Sequence, residues 1–144
     1  MKLTFLFIIL ITATVHAQIR KIPAAVTEAF KARYPHAENV AWKDEITSFE
    51  AQFTLNGFMM TADFNSKGEW QNSEKKIKFA DLPAAINDGF KKSKYAEWEV
   101  ISVVEIDKNS ESLQYRVEVK KSGLQKKYLF FNTNGRLIRD PITI

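Results

Sequence analysis

The sequence predicts an α+β fold: a tandem duplication of one unit, a helix plus a four-stranded antiparallel sheet, with about eight strands and two helices in all. Two observations predict this fold: a sequence pattern that occurs twice, and apolar residues that alternate with period two after each predicted helix. The chain has 144 residues, of which 45% are hydrophobic and 26% charged. This composition is that of a globular protein and excludes disordered and collagen-like chains.

The repeat is visible in two short motifs that occur twice in the same order. The segment from Ile22 to Lys31 recurs as Leu82 to Lys91, with Pro-Ala-Ala and Phe-Lys repeated at an offset of 60 residues. Phe64-Asn-Ser-Lys-Gly68 recurs as Phe131-Asn-Thr-Asn-Gly135 at an offset of 67. We therefore expect an internal duplication, with repeats at about 19–78 and 79–144.

Each repeat is expected to begin with a short helix. Pro23 and Pro83 suit a first helical turn, and Asp81 lies close enough to serve as the N-cap of the second helix. Pro35 should end the first helix. The second should end near Lys94-Tyr95, after a group of lysines that suits a helix C-terminus.

The rest of each repeat alternates between apolar and polar residues, which is typical of a strand with one buried face. Asn56-Gly57 joins two such runs and is a strong two-residue hairpin signal, and Ser122-Gly123 should make the equivalent turn later in the chain. The segment 124–131 is ambiguous, because its phase can bury either Tyr128 and Phe130 or Leu129 and Phe131. The apolar positions of the clear runs are Phe49, Ala51, Phe53, Leu55, Phe58, Met60, Ala62, Phe64, Leu113, Tyr115, Val117 and Val119.

Residues 1–17 are predicted to be a secretory signal peptide. Lys2 supplies a positive start, an apolar run follows, and Val15-His16-Ala17 suits cleavage by signal peptidase. The run is short for a membrane anchor. The mature chain would be residues 18–144, a single domain that is periplasmic or secreted, with no stable membrane insertion after the signal is removed.

Composition and spacing argue against several kinds of chemistry. The chain has no Cys, which excludes disulfides, Cys-ligated metals and a thiol nucleophile. His36 is the only histidine left after export and has no nucleophile beside it, so we expect no catalytic residue and no enzyme. Asp63, Asn65 and Glu74 imitate the spacing of a calcium loop, but Lys67 occupies a ligand position; the second near-match, Asp107 to Glu118, lacks the required glycine. We expect neither metal nor cofactor, and export argues against nucleic acid as a partner.

Aromatic and basic residues in the strands are the candidate binding residues. An antiparallel sheet covered by helices on one face can leave the other face open to solvent. Aromatic side chains displayed there could anchor a partner, with basic residues steering its approach, although burial in the core is the commoner fate of large aromatics. The candidate binding-face residues are Trp42, Trp70, Trp98, Tyr115, Arg116 and Lys120.

The repeated motifs resemble a known family. The helix start Ile22-Pro-Ala-Ala-Val26, the aromatic strand after it, and Phe-Asn-x-x-Gly closing a hairpin are similar to the bacterial PepSY-like family, over about residues 19–141. The resemblance implies an exported protein of tandem helix-plus-sheet units in an α+β sandwich-like fold, shaped like β-lactamase-inhibitor proteins. It also implies a non-enzymatic binding or inhibitory role, and it carries over no catalytic residue.

Two functions from different classes remain open on the sequence. The first is an exported binding module that holds a protein or envelope component on an open sheet face and acts as a protein-binding or inhibitor-like protein of the cell envelope. The second is a carrier of a small apolar ligand or lipid held between helix and sheet.

Overall fold

The computed structural model describes residues 21–108, 113–123 and 125–143. The predicted signal peptide, 1–17, lies outside the described residues, as do Asn109 and Glu111 of the second calcium-like spacing. Within the ranges that the structure describes, two α-helices, one short 3-10 turn at Phe79–Asp81 and eight strands follow one another. Their bounds are α1 Ala24–Arg33, β1 Glu38–Asp44, β2 Phe49–Leu55, β3 Phe58–Phe64, β4 Trp70–Ile77, α2 Ala84–Lys91, β5 Glu99–Lys108, β6 Gln114–Lys120, β7 Lys126–Asn132 and β8 Leu137–Thr143.

The eight strands form one antiparallel sheet in sequence order. The predicted α+β class with two helices and eight strands is therefore confirmed. The two halves are joined through the pairing of β4 with β5, where Lys75 lies opposite Glu105. The two predicted four-stranded sheets are thus halves of a single continuous sheet.

Both helices pack on the same face of this sheet, one over each half. Val26 and Phe30 of α1 lie in a core with residues of β2 and β3, whereas Ile86 and Phe90 of α2 lie in a second core with residues of β5, β6 and β7. The strand register places the sheet residues of both cores on one side. Each helix therefore covers the half to which it belongs in sequence.

The first core is a cluster of aromatic rings around Phe30. Its ring lies edge-on to Trp42, Phe53 and Phe64, with centroids 5.0–6.2 Å apart. This edge-to-face geometry is the favoured arrangement of aromatic pairs. These rings fill the space between α1 and strands β2 and β3.

The two repeated motifs contact each other in each half. In both copies the asparagine side chain closes the turn, since Asn65 Oδ1 accepts the N–H of Lys67 and Asn132 Oδ1 accepts the N–H of Asn134. The glycine that follows has a positive φ and lies against the first turn of the helix, Gly68 at Ala25 and Gly135 at Ala85. This equivalence is compatible with the predicted duplication.

The helix ends differ from the expectation in three details. Proline is the N-cap of each helix, not its first-turn residue, and Asp81 belongs to the 3-10 turn, so its prediction as N-cap is wrong. Leu82 and Pro83 are extended, which carries the Asp81 carboxylate away from the first N–H groups of α2. Helix α1 ends at Arg33, with Tyr34 as its C-cap directly before Pro35, as predicted, whereas α2 ends at Lys91, a few residues earlier than predicted.

The structure also settles the phase of β7. Leu129 and Phe131 are fully buried beneath α2. Because side chains alternate along a strand, Tyr128 and Phe130 point to the opposite face of the sheet.

The glycine contact predicts unequal effects for two glycine substitutions. Gly135 and Gly123 both have a positive φ, but a Cβ at Gly135 would overlap the carbonyl oxygen of Ala85, while a Cβ at Gly123 has no neighbour within 4 Å. We expect Gly123→Ala to lower the free energy of unfolding by about 1 kcal/mol, the strain of a left-handed residue, and Gly135→Ala by roughly 3 kcal/mol or more. Urea unfolding measures both. Equal losses would contradict the helix contact.

Candidate binding face

The sheet face opposite the helices is the candidate functional surface, and we name it the open face. Among the described residues, no helix packs on it. Its central residues come from alternate positions of six strands. They are Gln52 and Thr54 of β2, Met59, Thr61 and Asp63 of β3, Asn72, Glu74 and Lys76 of β4, Ser102, Val104 and Ile106 of β5, Arg116, Glu118 and Lys120 of β6, and Lys126, Tyr128 and Phe130 of β7.

An ion pair lies at the middle of the open face and links the two halves. Arg116 donates from both terminal nitrogens to the two oxygens of Glu74, at 2.9 and 2.7 Å. Both side chains are about one-quarter exposed. A forked pair of this kind fixes the orientation of the guanidinium as well as its position.

Apolar side chains surround this pair. Val104 and Ile106 are at most 8% exposed although no helix covers them. Arg116 is the cross-strand neighbour of both Val104 and Phe130, and its guanidinium lies 5.4 Å from the centre of the Tyr128 ring. The long side chains of the face thus shield its apolar residues, and the rings stand beside a fixed charge.

A groove of about 480 Å³ runs across the first half of the open face. Met59, which is 68% exposed, lines it, as does Asn39 of β1, which has a positive φ at a β-bulge. Its lining combines amide and hydroxyl groups with apolar side chains, so it can receive a side chain and hydrogen-bond to it. The other residues that line it include Ala41, Gln52, Thr54, Thr61, Glu74, Lys76 and Val104.

Charge is distributed unevenly over the open face. At the β6–β7 end, Glu118 accepts hydrogen bonds from Ser102 at 2.9 Å and Lys126 at 3.2 Å, and Lys120 lies beside Lys126. In the first half, burial raises the pKa of the Asp63 carboxyl above its ordinary value, Asn72 lowers it through a hydrogen bond, and Glu50 raises it again. Lys120 and Lys126 thus lie at one end of the face, and Asp63 lies among other carboxylates in the first half.

The predicted binding residues are divided between the two faces. Arg116 and Lys120 lie on the open face. Tyr115 is buried beneath α2, Trp98 packs against the same core, and Trp42 and Trp70 pack against the core of α1. The placement of these four aromatics on the binding face is thus corrected: the helices cover the side to which they point.

Two aromatics that sequence reasoning did not select take their place. Tyr128 and Phe130 are partly exposed on the open face, next to Arg116. The sequence pointed to these two residues only through the ambiguous phase of segment 124–131. Once Leu129 is assigned to the core, Tyr128 and Phe130 must face outward.

The residues considered for metal binding and catalysis in the sequence show no such site in the described structure. Asn65 uses its side-chain oxygen within the turn, accepting from Lys67 and Glu69, and His36 is exposed just beyond α1. Within the described ranges, no three His, Asp or Glu side chains are grouped to hold a metal ion. The helices described here are all too short or too polar to cross a bilayer.

Residues 47–139 match the model of a protein family described as "Putative beta-lactamase-inhibitor-like, PepSY-like". A DUF2874 family protein from Bacteroides uniformis is 27% identical, with 84% of this chain and 88% of that chain covered and a TM-score of 0.80. No curated protein matches the chain.

Two further crystal structures show the likeness of fold. A BLIP-like protein from Bacteroides fragilis is 24% identical, with 88% of this chain and 89% of that chain covered and a TM-score of 0.81. A protein from Bacteroides eggerthii described as a "putative periplasmic" protein is also 24% identical, with 87% and 91% covered and a TM-score of 0.81.

The raised pKa of the Asp63 carboxyl predicts a pH-dependent effect of Asp63→Asn. Because the pKa of Asp63 is raised in the fold, the stability it confers is present below its ordinary value of 3.8 and is lost as pH rises through the folded pKa. We expect Asp63→Asn to raise the Tm by about 1–3 °C at pH 7 and to leave it unchanged near pH 3. Thermal unfolding followed by circular dichroism measures both. The exposed Asp81→Asn is the control, and a lower Tm at pH 7 for Asp63→Asn would contradict the account.

Proposed function

The chain belongs to the PepSY-like family, and on that premise we propose that it is an exported, non-enzymatic module that docks a protein or another envelope component on its open face. The observation that carries the proposal is the open face itself. Its aromatics stand beside an ion pair that is already fixed between Arg116 and Glu74. A partner would meet a preformed surface and lose little binding free energy in ordering it.

Docking on this face would be steric and reversible. Tyr128, Phe130 and Met59 are the anchors, since large, partly exposed apolar side chains commonly supply most of the binding energy of an interface. Lys120 and Lys126 lie towards one end, where basic groups steer an acidic partner and increase its rate of association. A docked module that covers the active site of an enzyme would act as an inhibitor without any chemistry of its own, in keeping with the inhibitor-like family.

Export is part of the proposal. Residues 1–17 would serve as the signal peptide, leaving one PepSY-like domain at 18–144. The similar protein from Bacteroides eggerthii, described as periplasmic, supports a periplasmic or secreted location. Such a module needs no cofactor, no nucleic acid and no membrane insertion to work.

The packing favours docking over the carriage of an apolar ligand. A carrier needs an enclosed apolar space between helix and sheet. In the first half the rings of Phe30, Phe53 and Phe64 fill the space over β2 and β3, and in the second half fully buried Ile86 and Leu129 fill it. The pocket of about 580 Å³ between α1 and β1 opens to solvent and is not enclosed.

A capture experiment with matched variants tests the proposal. The immobilised mature chain is exposed to envelope extract from its source and bound proteins are quantified. We expect Met59→Ser and Tyr128→Ser each to reduce the specific partner at least tenfold, about 1.4 kcal/mol. Ile46→Ser is the control, because Ile46 is 95% exposed in the β1–β2 loop and off the open face. Equal capture by all four proteins would refute docking on this face. The captured protein, if an enzyme, is then assayed with and without the module.

A further inference from the structure

A polar cleft lies on the other side of the sheet, between the regions that the two helices cover. We name it the seam cleft. It has a volume of about 360 Å³, opens to solvent, and is built from the end of α1 and the helix-side residues of the strands that join the two halves. Its lining residues are Arg33, Tyr34, Met60, Ser73, Lys75, Glu105 and Asp107.

The floor of the seam cleft is polar, whereas the neighbouring strands carry mainly apolar residues on the same side of the sheet. Ser73 and Lys75 of β4 lie opposite Asp107 and Glu105 of β5, all on the helix side of the sheet. Helix-side residues of the adjoining strands, such as Ala62 and Phe64 of β3 and Tyr115 and Val117 of β6, belong instead to the two cores. The change from apolar to charged residues therefore coincides with the strip between the two cores.

Arg33, an exposed residue at the end of α1, is oriented at one side of this cleft by two contacts. Its guanidinium lies 3.6 Å from the centre of the Trp70 ring, and its Nε donates to the hydroxyl of Tyr34 at 3.2 Å. Tyr34 is in turn hydrogen-bonded to Ser73 at 2.5 Å, and Trp70 Nε1 donates to the same Ser73 oxygen at 2.8 Å. In the described part of the chain Arg33 forms no ion pair, so its terminal nitrogens are available for a carboxylate, which a guanidinium fork binds well.

The repeated unit does not need this network. Under the offsets of 60 and 67 residues, Ser93 occupies the position of Arg33, and Leu137 that of Trp70. The second half folds with the same helix and hairpin although it lacks both the cation and the indole. The arrangement around Arg33 is thus particular to the first half.

Carboxylates lie at the opposite side of the cleft. Glu105 is already engaged, since Lys75 donates to one of its oxygens at 3.0 Å and Tyr115 to the other at 3.3 Å. Asp107, the cross-strand neighbour of Ser73, is exposed and forms no ion pair with any residue that the structure describes. The cleft therefore offers one available cation and one available anion.

We propose that the seam cleft binds a small zwitterion, a free amino acid or a dipeptide, with its carboxylate on Arg33 and its ammonium group on Asp107. The cleft volume lies within the range of small-molecule sites. The stacked and hydrogen-bonded Arg33 lowers the entropic cost of binding because its fork is already oriented. Binding is non-covalent and independent of the open face, so it can fail without affecting the proposed docking function.

The dipeptide alanyl-alanine is the probe, and its capped forms are the matched ligands. N-acetylation removes the ammonium charge and C-amidation removes the carboxylate. The isotope-labelled mature chain is titrated with each ligand up to roughly 20 mM, and the amide NMR shifts give each Kd. This concentration range covers a site with a millimolar Kd. We expect saturable shifts around Arg33, Ser73 and Asp107, and at least fivefold weaker binding of either capped form.

Variants assign each charge of the ligand to its residue. Arg33→Gln should weaken binding of the free dipeptide at least fivefold, and the amidated form should then bind this variant as well as the free dipeptide does. Asp107→Asn should likewise weaken binding of the free dipeptide, and the acetylated form should bind that variant as well as the free dipeptide does. Lys31→Gln, on the exposed side of α1, should bind as the unaltered chain does, and the NMR spectra report whether each variant is folded. The proposal is overturned if the free dipeptide gives no saturable shift, if acetate binds as tightly as the dipeptide, or if amidation weakens binding to folded Arg33→Gln as much as to the unaltered chain.

Discussion

The contact between a hairpin glycine and the first turn of a helix is the constraint on which the rest of the structure depends. Gly68 and Gly135 have positive φ angles, and each lies so near a helix carbonyl, at Ala25 or Ala85, that a side chain would overlap it. Each contact ties a helix to its own half of the sheet, on the same side in both halves. Because both helices are held there, the opposite side of the sheet is left without a helix.

A sheet face without a helix must shield its own apolar residues. Here long polar side chains provide that cover. Arg116 forms a forked pair with Glu74 and lies beside Val104, which together with Ile106 is nearly fully buried. The same guanidinium lies near the ring of Tyr128. Side chains that stabilise the bare face thus also hold its aromatics in place, which is what a docking surface requires.

Local patterns predicted most of the fold and little of the site. Alternation along β2 and the Asn56-Gly57 turn, whose two φ angles are positive, depend on neighbouring residues and can be read from the sequence. The side of the sheet to which Trp70 points cannot be read from the sequence, because a register shift between Asp63 and Phe64 changes the phase of the β3–β4 pairing. The network of the seam cleft joins Tyr34 to Ser73, 39 residues apart, and no short motif encodes such a contact.

Adjacent residues of one strand give the most direct test of docking on the open face. Tyr128 points to the open face and Lys127 to the helix side, and both are partly exposed. A photo-reactive amino acid placed at each position in turn, in the presence of the captured partner, reports which side is in contact. The account predicts cross-linking from position 128 and little or none from position 127. Cross-linking from position 127 alone, or equally from both, would contradict it.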